Sequence, residues 1–194
     1  SYALASHTLP SARGQGEPLT GRLTPAAGAT FVGLTAGEQG DRYLVASDAG
    51  YGFVTTLGDM QTRQKAGKSL LTVPKGCVAL APVPVSQIED RYVVSVSNEG
   101  RLLIFPLRDL PQMARGKGNK IMNIPSARAA AREETMIDVA VLAEADLLTI
   151  YSGKRHITLK FSDLEHYRGE RARRGLKLPR GFQKVDRLEV TFRE

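Results

Sequence analysis

The sequence predicts an all-β fold of the β-propeller type, with about four blades of roughly 50 residues each. Three observations predict it: a recurring hairpin pattern, a recurring basic loop that contains glycine, and helical character confined to one short segment. In the hairpin pattern, two apolar runs flank a turn that ends in glycine, and an acidic residue follows near the end. The pattern occurs in residues 42–60, 91–110 and 146–164, with turn glycines at Gly50, Gly100 and Gly153.

The basic loop recurs at the same position of each unit. Residues 62–74 (TRQKAGKSLLTVP) match residues 113–125 (MARGKGNKIMNIP), and residues 11–25 and 171–181 are more distant copies. The aligned glycines are spaced 51, 51 and 57 residues apart, and they are Gly16, Gly67, Gly118 and Gly175. The chain therefore contains four copies of one unit, which we expect to form four blades of an open or broken ring.

The elements of one unit follow from local patterns. Runs such as HITLKF (156–161) alternate apolar and polar residues, and the turns SDAG, SNEG and YSG supply Asn, Asp and Gly where positive φ is needed. Residues 69–74 and 121–125 predict short strands ended by proline, and the prolines of residues 77–85 suit an edge strand or a bulge. Each unit thus has about four short strands, as a propeller blade does. Residues 126–134 predict a helix, inserted at the rim with Ser126 as its N-cap.

Composition limits the class of protein. Of the 194 residues, 42% are hydrophobic and 24% are charged, which is usual for a soluble globular protein. No apolar run approaches the roughly 18 residues of a membrane span. The lone Cys77 cannot form an internal disulfide, which indicates a reducing compartment, and its apolar neighbours predict a small buried hydrophobe and not a reactive thiol. We interpret residues 1–194 as one domain, and the opening SYALASHTLP leads us to expect further blades before it in a longer polypeptide.

Positive charge is concentrated in the four loops. The formal net charge of +7 favours polyanionic partners such as DNA, RNA or an acidic membrane surface. The loop regions hold 17 of the 27 Lys and Arg residues but only 3 of the 20 Asp and Glu residues; they are residues 11–25, 62–76, 113–125 and 168–187. Their net charge is +14, whereas the rest of the chain carries −7.

A repeated basic loop predicts a positive band along part of the rim, because equivalent positions of propeller blades lie around one edge. Such a band fits a bent DNA duplex, since Lys and Arg neutralise phosphates and glycine lets backbone N–H groups approach them. The few aromatic residues in these loops argue against single-strand recognition by base stacking. Solvated turns without a ligand are the alternative. The candidate DNA-binding residues are Arg13, Arg63, Lys65, Lys68, Arg115, Lys117, Lys120, Arg171, Arg173, Arg174, Lys177 and Arg180.

Other site chemistry has little support. The three histidines lie at positions without a second ligand at metal-binding spacing, so we expect no metal site. The GKGNK segment lacks the spacing and the Ser or Thr of a P-loop, so we expect no nucleotide there. Tyr43 and Tyr92 each follow an arginine at equivalent repeat positions, which indicates a structural role and no cleaving nucleophile. We therefore predict no catalytic residue and no cofactor in this chain.

Three motifs, in this order and at this spacing, carry a family resemblance over nearly the whole chain: LPSARGQGEPLTG, ASDAGYGF and GKGNKIMNIPSA. The chain closely resembles the C-terminal domains of the A subunit of bacterial DNA topoisomerase IV, and residues 169–190 (GERARRGLKLPRGFQKVDRLEV) fit as well. The resemblance implies a β-pinwheel, a propeller variant whose blades exchange a strand with their neighbours. It also implies a domain that binds and bends duplex DNA on its outer rim and presents segments to a catalytic core.

The resemblance also implies the surroundings of the domain. The whole enzyme is a heterotetramer of two A and two B subunits that relaxes and decatenates DNA by strand passage, with ATP and magnesium used in other domains. The cleaving tyrosine and the metal-binding carboxylates would lie outside this chain. The implied location is cytoplasmic and associated with the nucleoid, with peripheral association at the inner face of the cell membrane left open.

The basic loops depart from the related gyrase A subunit, whose first blade carries a glutamine-arginine-arginine-glycine-glycine-lysine-glycine box. Residues 63–69 (RQKAGKS) and 115–120 (RGKGNK) are degenerate relatives, and residues 13–18 (RGQGEP) have lost most of the charge. This departure favours topoisomerase IV over gyrase and argues against strong chiral wrapping with negative supercoiling. A second function stays open, in which the propeller docks an acidic patch of a condensin-like, chromosome-organising protein.

Overall fold

The computed structural model describes residues 1–193, and most of the regular structure is β. The strands are β1 Arg42–Ser47, β2 Tyr51–Thr56, β3 Val83–Val85, β4 Tyr92–Ser97, β5 Arg101–Pro106, β6 Asn119–Lys120, β7 Met136–Leu142, β8 Leu147–Ser152, β9 Arg155–Leu159, β10 Leu176–Lys177 and β11 Arg187–Thr191. Three short helices accompany them: α1 Leu57–Met60, α2 Ser126–Ala130 and α3 Phe161–Leu164. No helix among the described residues is long and apolar enough to cross a membrane.

The strands form three antiparallel sheets with one shared plan. The orders are β3-β1-β2-β6, then β7-β4-β5-β10, then β11-β8-β9. In the first two sheets the fourth strand comes from the following unit, because β6 lies beyond β4 and β5 in the chain and β10 lies beyond β8 and β9. The expected exchange of strands between neighbouring blades, and with it the β-pinwheel fold, is confirmed.

The three sheets are arranged around one set of edges. Strand β7 lies against β3 on one side and against β11 on the other, so the edges formed by these three strands face one another. A partly buried carboxylate reinforces this inner side, since Asp138 on β7 accepts a hydrogen bond from the backbone N–H of Leu188 on β11 at 2.7 Å. The opposite edges, at β2, β5 and β9, therefore form the outer side of the molecule.

The core consists of apolar layers between successive sheets. One layer joins the first two sheets through Leu44, Val54, Phe105 and Val141, and another joins the second and third sheets through residues such as Ile104. Both faces of the second sheet are buried, which explains why its strands are almost continuously apolar. A third layer packs on the outer face of the first sheet around Tyr43, Phe53 and Leu70.

The third sheet ends this series with a polar face. Strand pairing places Tyr151 beside both His156 and Arg187, and Thr149 beside both Thr158 and Glu189. The corresponding face of the second sheet carries fully buried apolar residues, among them Val94, Val96 and Ile104. The described residues thus form an open arrangement, as expected.

The hairpin turns agree with the sequence, whereas some short strands do not. The three turn glycines have φ of +83°, +67° and +59° at Gly50, Gly100 and Gly153. Residues 69–74 and 121–125 were expected to be strands, but the paired segment is Asn119–Lys120, directly after Gly118. Of residues 77–85 only Val83–Val85 is a strand, and it lies at a sheet edge, as its prolines require. The first of the four copies, residues 11–25, contributes a loop without a strand, so the described chain has three sheets.

The predicted helix is shorter than expected. Helix α2 ends at Ala130, and its N-cap is Pro125 without a side-chain cap, so the expected capping by Ser126 is wrong. One side of the helix contacts the core, because Ala129 is buried in the layer between the first two sheets, whereas Ser126, Ala127 and Ala130 are exposed. An alanine-rich segment of this length gains most of its stability from that contact.

The pairing register also corrects one repeat equivalence. Tyr43 lies opposite Thr55, whereas Tyr92 lies opposite Pro106, one residue further from the hairpin turn. Tyr92 therefore occupies the place of Arg42 in the first sheet, and the two tyrosines are not equivalent. Tyr43 is buried and donates to the backbone oxygen of Ala36 at 2.9 Å, a structural contact.

Candidate nucleic-acid interface

The exchanged strands hold two of the basic loops on the outer edges of the sheets. Lys120 pairs with Tyr51 on β2, and Lys177 pairs with Arg101 on β5. The two loops therefore occupy the same position on successive sheets. A cation follows the loop glycine by two residues in both cases, which puts one positive charge at each equivalent edge.

The loop glycines share one conformation that only glycine adopts easily. Their φ angles are +77°, +80°, +76° and +75° at Gly16, Gly67, Gly118 and Gly175. A Cβ on Gly118 or Gly175 would overlap the carbonyl oxygen of the neighbouring strand, at Gly52 and Leu102 respectively. The spacing found in the sequence therefore marks a shared backbone geometry, which lets the third and fourth loops lie flat on a strand edge.

The second loop makes the same contact with the first residues of the chain. The Ser1 amino group donates to the Lys68 oxygen at 2.7 Å, and the Lys68 N–H donates back to the Ser1 oxygen at 2.8 Å. Gly67 lies against Ser1 and the ring of Tyr2, with no space for a side chain. Residues 1–2 thus occupy the place that Gly52 and Leu102 have in the other sheets.

Backbone hydrogen bonds join all four loops in series. In each of the first three loops, a backbone N–H near the end of the loop donates to a backbone carbonyl of the next loop. That carbonyl lies two residues before the glycine of the next loop. The bonds are Thr24 to Lys65 at 3.1 Å, Thr72 to Gly116 at 2.8 Å and Asn123 to Arg173 at 3.0 Å. Residues separated by about 50 positions in the sequence are consequently neighbours on one side of the molecule.

The side chains of six of the twelve candidate residues are exposed and form no ion pair or hydrogen bond with a distant part of the described chain. Five make no ion pair or side-chain hydrogen bond with residues 1–193: Arg13, Arg63, Lys65, Arg115 and Arg180. The sixth, Arg173, pairs only with the equally exposed Glu170 at 3.0 Å. Exposed pairs of this kind contribute little to stability, so these charges are available to an external anion.

The other candidates are held by the protein. Lys68 donates to the Asp59 oxygen at 2.6 Å, Arg171 to the Lys120 oxygen at 2.7 Å and Lys177 to the Glu99 oxygen at 2.8 Å. Each contact fixes a long side chain while leaving its positive charge uncompensated or partly exposed.

Lys117 and Lys120 share a contact with one aromatic ring. Their ammonium groups lie 4.0 Å and 5.7 Å from the ring centroid of Tyr51, a cation–π arrangement. Lys120 also donates to the side-chain oxygen of Asn123 at 2.9 Å. The ring occupied by these lysines is not open to a nucleic-acid base.

Arg174 belongs to a buried ion cluster that the sequence did not indicate. The carboxylate of Glu134 is fully buried and pairs with Arg174 at 2.5 Å and with Arg128 at 2.6 Å. Arg128 also pairs with Glu99 at 2.5 Å, and this hydrogen bond lowers the pKa of Glu99. The cluster joins the helical insertion, the second hairpin turn and the last loop. No sequence signal pointed to it, because its members are brought together from three separate segments.

No group of three His, Cys, Asp or Glu residues within residues 1–193 is placed to hold a metal ion. Cys77 is partly buried, and burial is the main cause of its raised pKa, with the nearby Asp48 carboxylate adding to it. The features that stand out are therefore cationic and backbone groups along the outer edge.

Comparisons with known proteins agree with this architecture. Residues 41–80 and 91–127 match the family described as DNA gyrase C-terminal domain, beta-propeller. These ranges cover the first hairpin with the residues after it, and the second hairpin with the third basic loop. The solved structure of a DNA gyrase A C-terminal domain has a TM-score of 0.66 at 16% identity, covering 88% of this chain and 57% of that chain, which supports the fold alone.

Two more similar proteins define the family. The A subunit of DNA topoisomerase 4 from Pseudomonas aeruginosa is 54% identical over 190 residues, which are 98% of this chain and 25% of that protein. The chain thus spans about a quarter of the length of such relatives. The E. coli ParC C-terminal domain structure has a TM-score of 0.89 at 46% identity, covering 98% of this chain and 76% of that one. The chain belongs to the family of C-terminal domains of the topoisomerase IV A subunit.

Proposed function

We propose that this chain is a non-catalytic module that binds and bends duplex DNA for a type IIA topoisomerase. The observation that carries the proposal is the series of four basic loops, joined by backbone hydrogen bonds along one side of the molecule. Because the loops are neighbours, their cations can contact successive phosphates of one duplex. Each neutralised phosphate releases counterions, so affinity should be strong at low salt and fall steeply as salt rises.

Bending follows from the arrangement of the sheets. The edges at β3, β7 and β11 face one another, so the opposite edges diverge around the outer side. A duplex that follows the loops along this outer side must curve with it. The elastic cost of bending a site of 20–30 base pairs by 40–90° is of order 1–6 kcal/mol, which additional phosphate contacts offset.

The contacts available favour binding that is independent of sequence. The exposed candidates are Lys and Arg on loops, which suit phosphates, and no α-helix within residues 1–193 is longer than five residues. Lys117 and Lys120 both lie against the aromatic ring of Tyr51, beside the third loop. We therefore expect the duplex to be recognised through its backbone and its ability to bend.

In the whole enzyme, this module would present DNA segments to a catalytic core for ATP-dependent strand passage, decatenation and chromosome segregation. The core, the A-subunit dimer contacts and the B subunit would be contributed by other domains, which would also use ATP and magnesium. The chain itself would need no cofactor, and it would act at the nucleoid. A condensin-like protein stays a proposed additional partner.

Titration of a labelled duplex with the chain at several salt concentrations tests the proposal. Binding at low salt with a steep linear fall of log affinity against log salt is the expected result. Weak binding even at low salt would contradict DNA binding and would favour the alternative of a protein-docking platform. Bending is tested separately, by the change in energy transfer between dyes at the two ends of the duplex.

A further inference from the structure

The outer edge of the third sheet differs from the other two. Strand pairing makes His156 equivalent to Gly52 and Leu102, so Arg155 takes the position of Tyr51 and Arg101. In the first two sheets an exchanged strand covers this position. In the third sheet, within residues 1–193, no strand pairs with the outer edge of β9.

The third hairpin turn is also open where the first two are covered. A Cβ on Gly50 would overlap the Met122 oxygen, and one on Gly100 would overlap the Phe182 oxygen, because the next unit lies across each turn. A Cβ on Gly153 would meet none of the described residues within 4 Å. The third turn is therefore accessible to an external ligand.

The charged side chains of the first two hairpin turns are acidic, whereas those of the third are basic. The first turn carries Asp48, which pairs with Arg132, and the second carries Glu99, which pairs with Arg128. Both acids are compensated by arginines of the helical insertion. The third turn has instead the exposed cations Lys154 and Arg155 next to Gly153.

A following segment adds two more cations. Ser152 on β8 donates through its hydroxyl to the Lys184 oxygen at 2.6 Å and to the Gly181 oxygen at 3.3 Å. Gly181 has φ of +99°, and the guanidinium of Arg155 occupies the space where its Cβ would lie. These contacts hold residues 180–184 beside the turn, and Arg180 and Lys184 are both exposed.

The four cations have no carboxylate partner among residues 1–193; they are Lys154, Arg155, Arg180 and Lys184. One acid lies close by, since the Gly153 N–H donates to the Asp186 carboxylate at 2.5 Å. A net positive site therefore remains.

We infer that this cluster, formed by the third hairpin turn and residues 180–184, is a further phosphate-contact site for duplex DNA. The inference rests on the proposed function and extends the series of loops by one position, onto the third sheet. The new site is continuous with the fourth basic loop, which supports the inference. Lys177 of that loop lies on the outer edge of the second sheet, and Arg180 follows only three residues later. In this site the hairpin itself supplies the cations that an exchanged loop supplies elsewhere.

The alternative role of these charges is to discourage edge-to-edge pairing, for which lysine on an edge strand is a common device. That role requires charge on β9 but no contact with DNA. The two roles differ in the salt dependence of duplex binding, which counts phosphate contacts.

The test compares the Lys154→Gln/Arg155→Gln chain with the parent and with an Arg91→Gln/Arg108→Gln control. The control removes the same charge from the opposite, open end of the β4–β5 hairpin, where Arg91 and Arg108 flank the strands. Duplex binding is measured by fluorescence anisotropy across a salt series, and circular dichroism checks that all three chains are folded.

For the Lys154→Gln/Arg155→Gln chain, the slope of log affinity against log salt should fall by about 2 units, since each phosphate contact contributes roughly 0.9. The control should keep the parental slope. Equal slopes in both variants, with a parent that binds, would overturn the inference and leave the proposed function intact. A parent that does not bind the duplex would overturn both.

Discussion

One Nη atom of Arg174 donates to both carboxylate oxygens of Glu134, at 2.5 Å and 2.6 Å, although the residues are 40 positions apart. Glu134 is fully buried, and Arg128 is its second partner. The pair fixes the last basic loop to the segment that follows α2. A residue that the repeated basic loop assigned to DNA contact thus also holds the last loop in its place.

Loss of both arginine partners of Glu134 should destabilise the fold more than the two single losses together. In Arg128→Gln/Arg174→Gln the buried carboxylate keeps no cation, and an uncompensated buried charge costs about 3–5 kcal/mol. Arg174→Gln alone should cost less, since Arg128 still pairs with Glu134. Urea unfolding measures the free energies. Arg173→Gln, which removes only an exposed pair, is the control and should change stability by less than about 0.5 kcal/mol. Additive single and double effects would show that the two arginines act independently.

Gly118→Ala should be far more disruptive than Gly153→Ala. Both glycines have positive φ, which alone costs an alanine about 1–2 kcal/mol. Only at Gly118 would the new methyl group also overlap the oxygen of Gly52 and displace the exchanged strand. Thermal unfolding should deteriorate far more for Gly118→Ala than for Gly153→Ala, and Gly118→Ala should also lose duplex affinity. If the two substitutions had similar effects, the close approach of Gly118 to the Gly52 oxygen would not be what positions the third basic loop.

Removal of the unpaired loop cations should weaken binding to all duplexes alike. The triple variant Arg63→Gln/Lys65→Gln/Arg115→Gln removes charges that have no partner among the described residues, so stability should change little. The salt slope should fall by nearly 3 units, at about 0.9 for each phosphate contact. Anisotropy with two duplexes of unrelated sequence provides the measurement.

The matched control for that triple variant is Arg42→Gln/Arg91→Gln/Arg108→Gln, which removes the same charge from the strand ends opposite the hairpin turns. It should retain most of the affinity and the parental slope. A loss confined to one of the two sequences, or an equal loss in the control, would argue against contact through the outer loops.

Acid should destabilise the parent through Glu99. The hydrogen bond from Arg128 is the main cause of the lowered pKa of this carboxyl group, with the charges of Arg128 and Lys177 adding to it. Because the folded pKa is lower than the unfolded value of about 4.3, the stabilisation is complete above that pH and is lost as pH falls through the folded pKa. The free energy of unfolding of Glu99→Gln should therefore approach that of the parent at low pH. A constant difference between pH 7 and pH 3 would exclude this linkage.

Local patterns predicted the hairpins and the loop glycines because both depend on neighbouring residues. Positive φ at Gly50 and Gly118 costs little because glycine has no Cβ, so a glycine in a turn is a local signal for it. Residues 69–74 and 121–125 failed as strands because pairing needs a partner edge, and their partner is another loop. The length of the helix was overestimated because the residues after Ala130 leave the helical conformation, and Arg132 and Glu134 form ion pairs there.

The sequence by itself determined the repeated unit, the glycine geometry and the concentration of cations in four loops, since each is a property of residue type and spacing. Tertiary structure decided which of those cations are free. Arg63 and Arg115 extend into solvent, whereas Arg174 is drawn to a buried carboxylate 40 residues away. Only the sheet order left the edge of β9 uncovered among the described strands and placed Arg155 there. The physical reason is that charge is a local property, whereas compensation of that charge depends on long-range contacts.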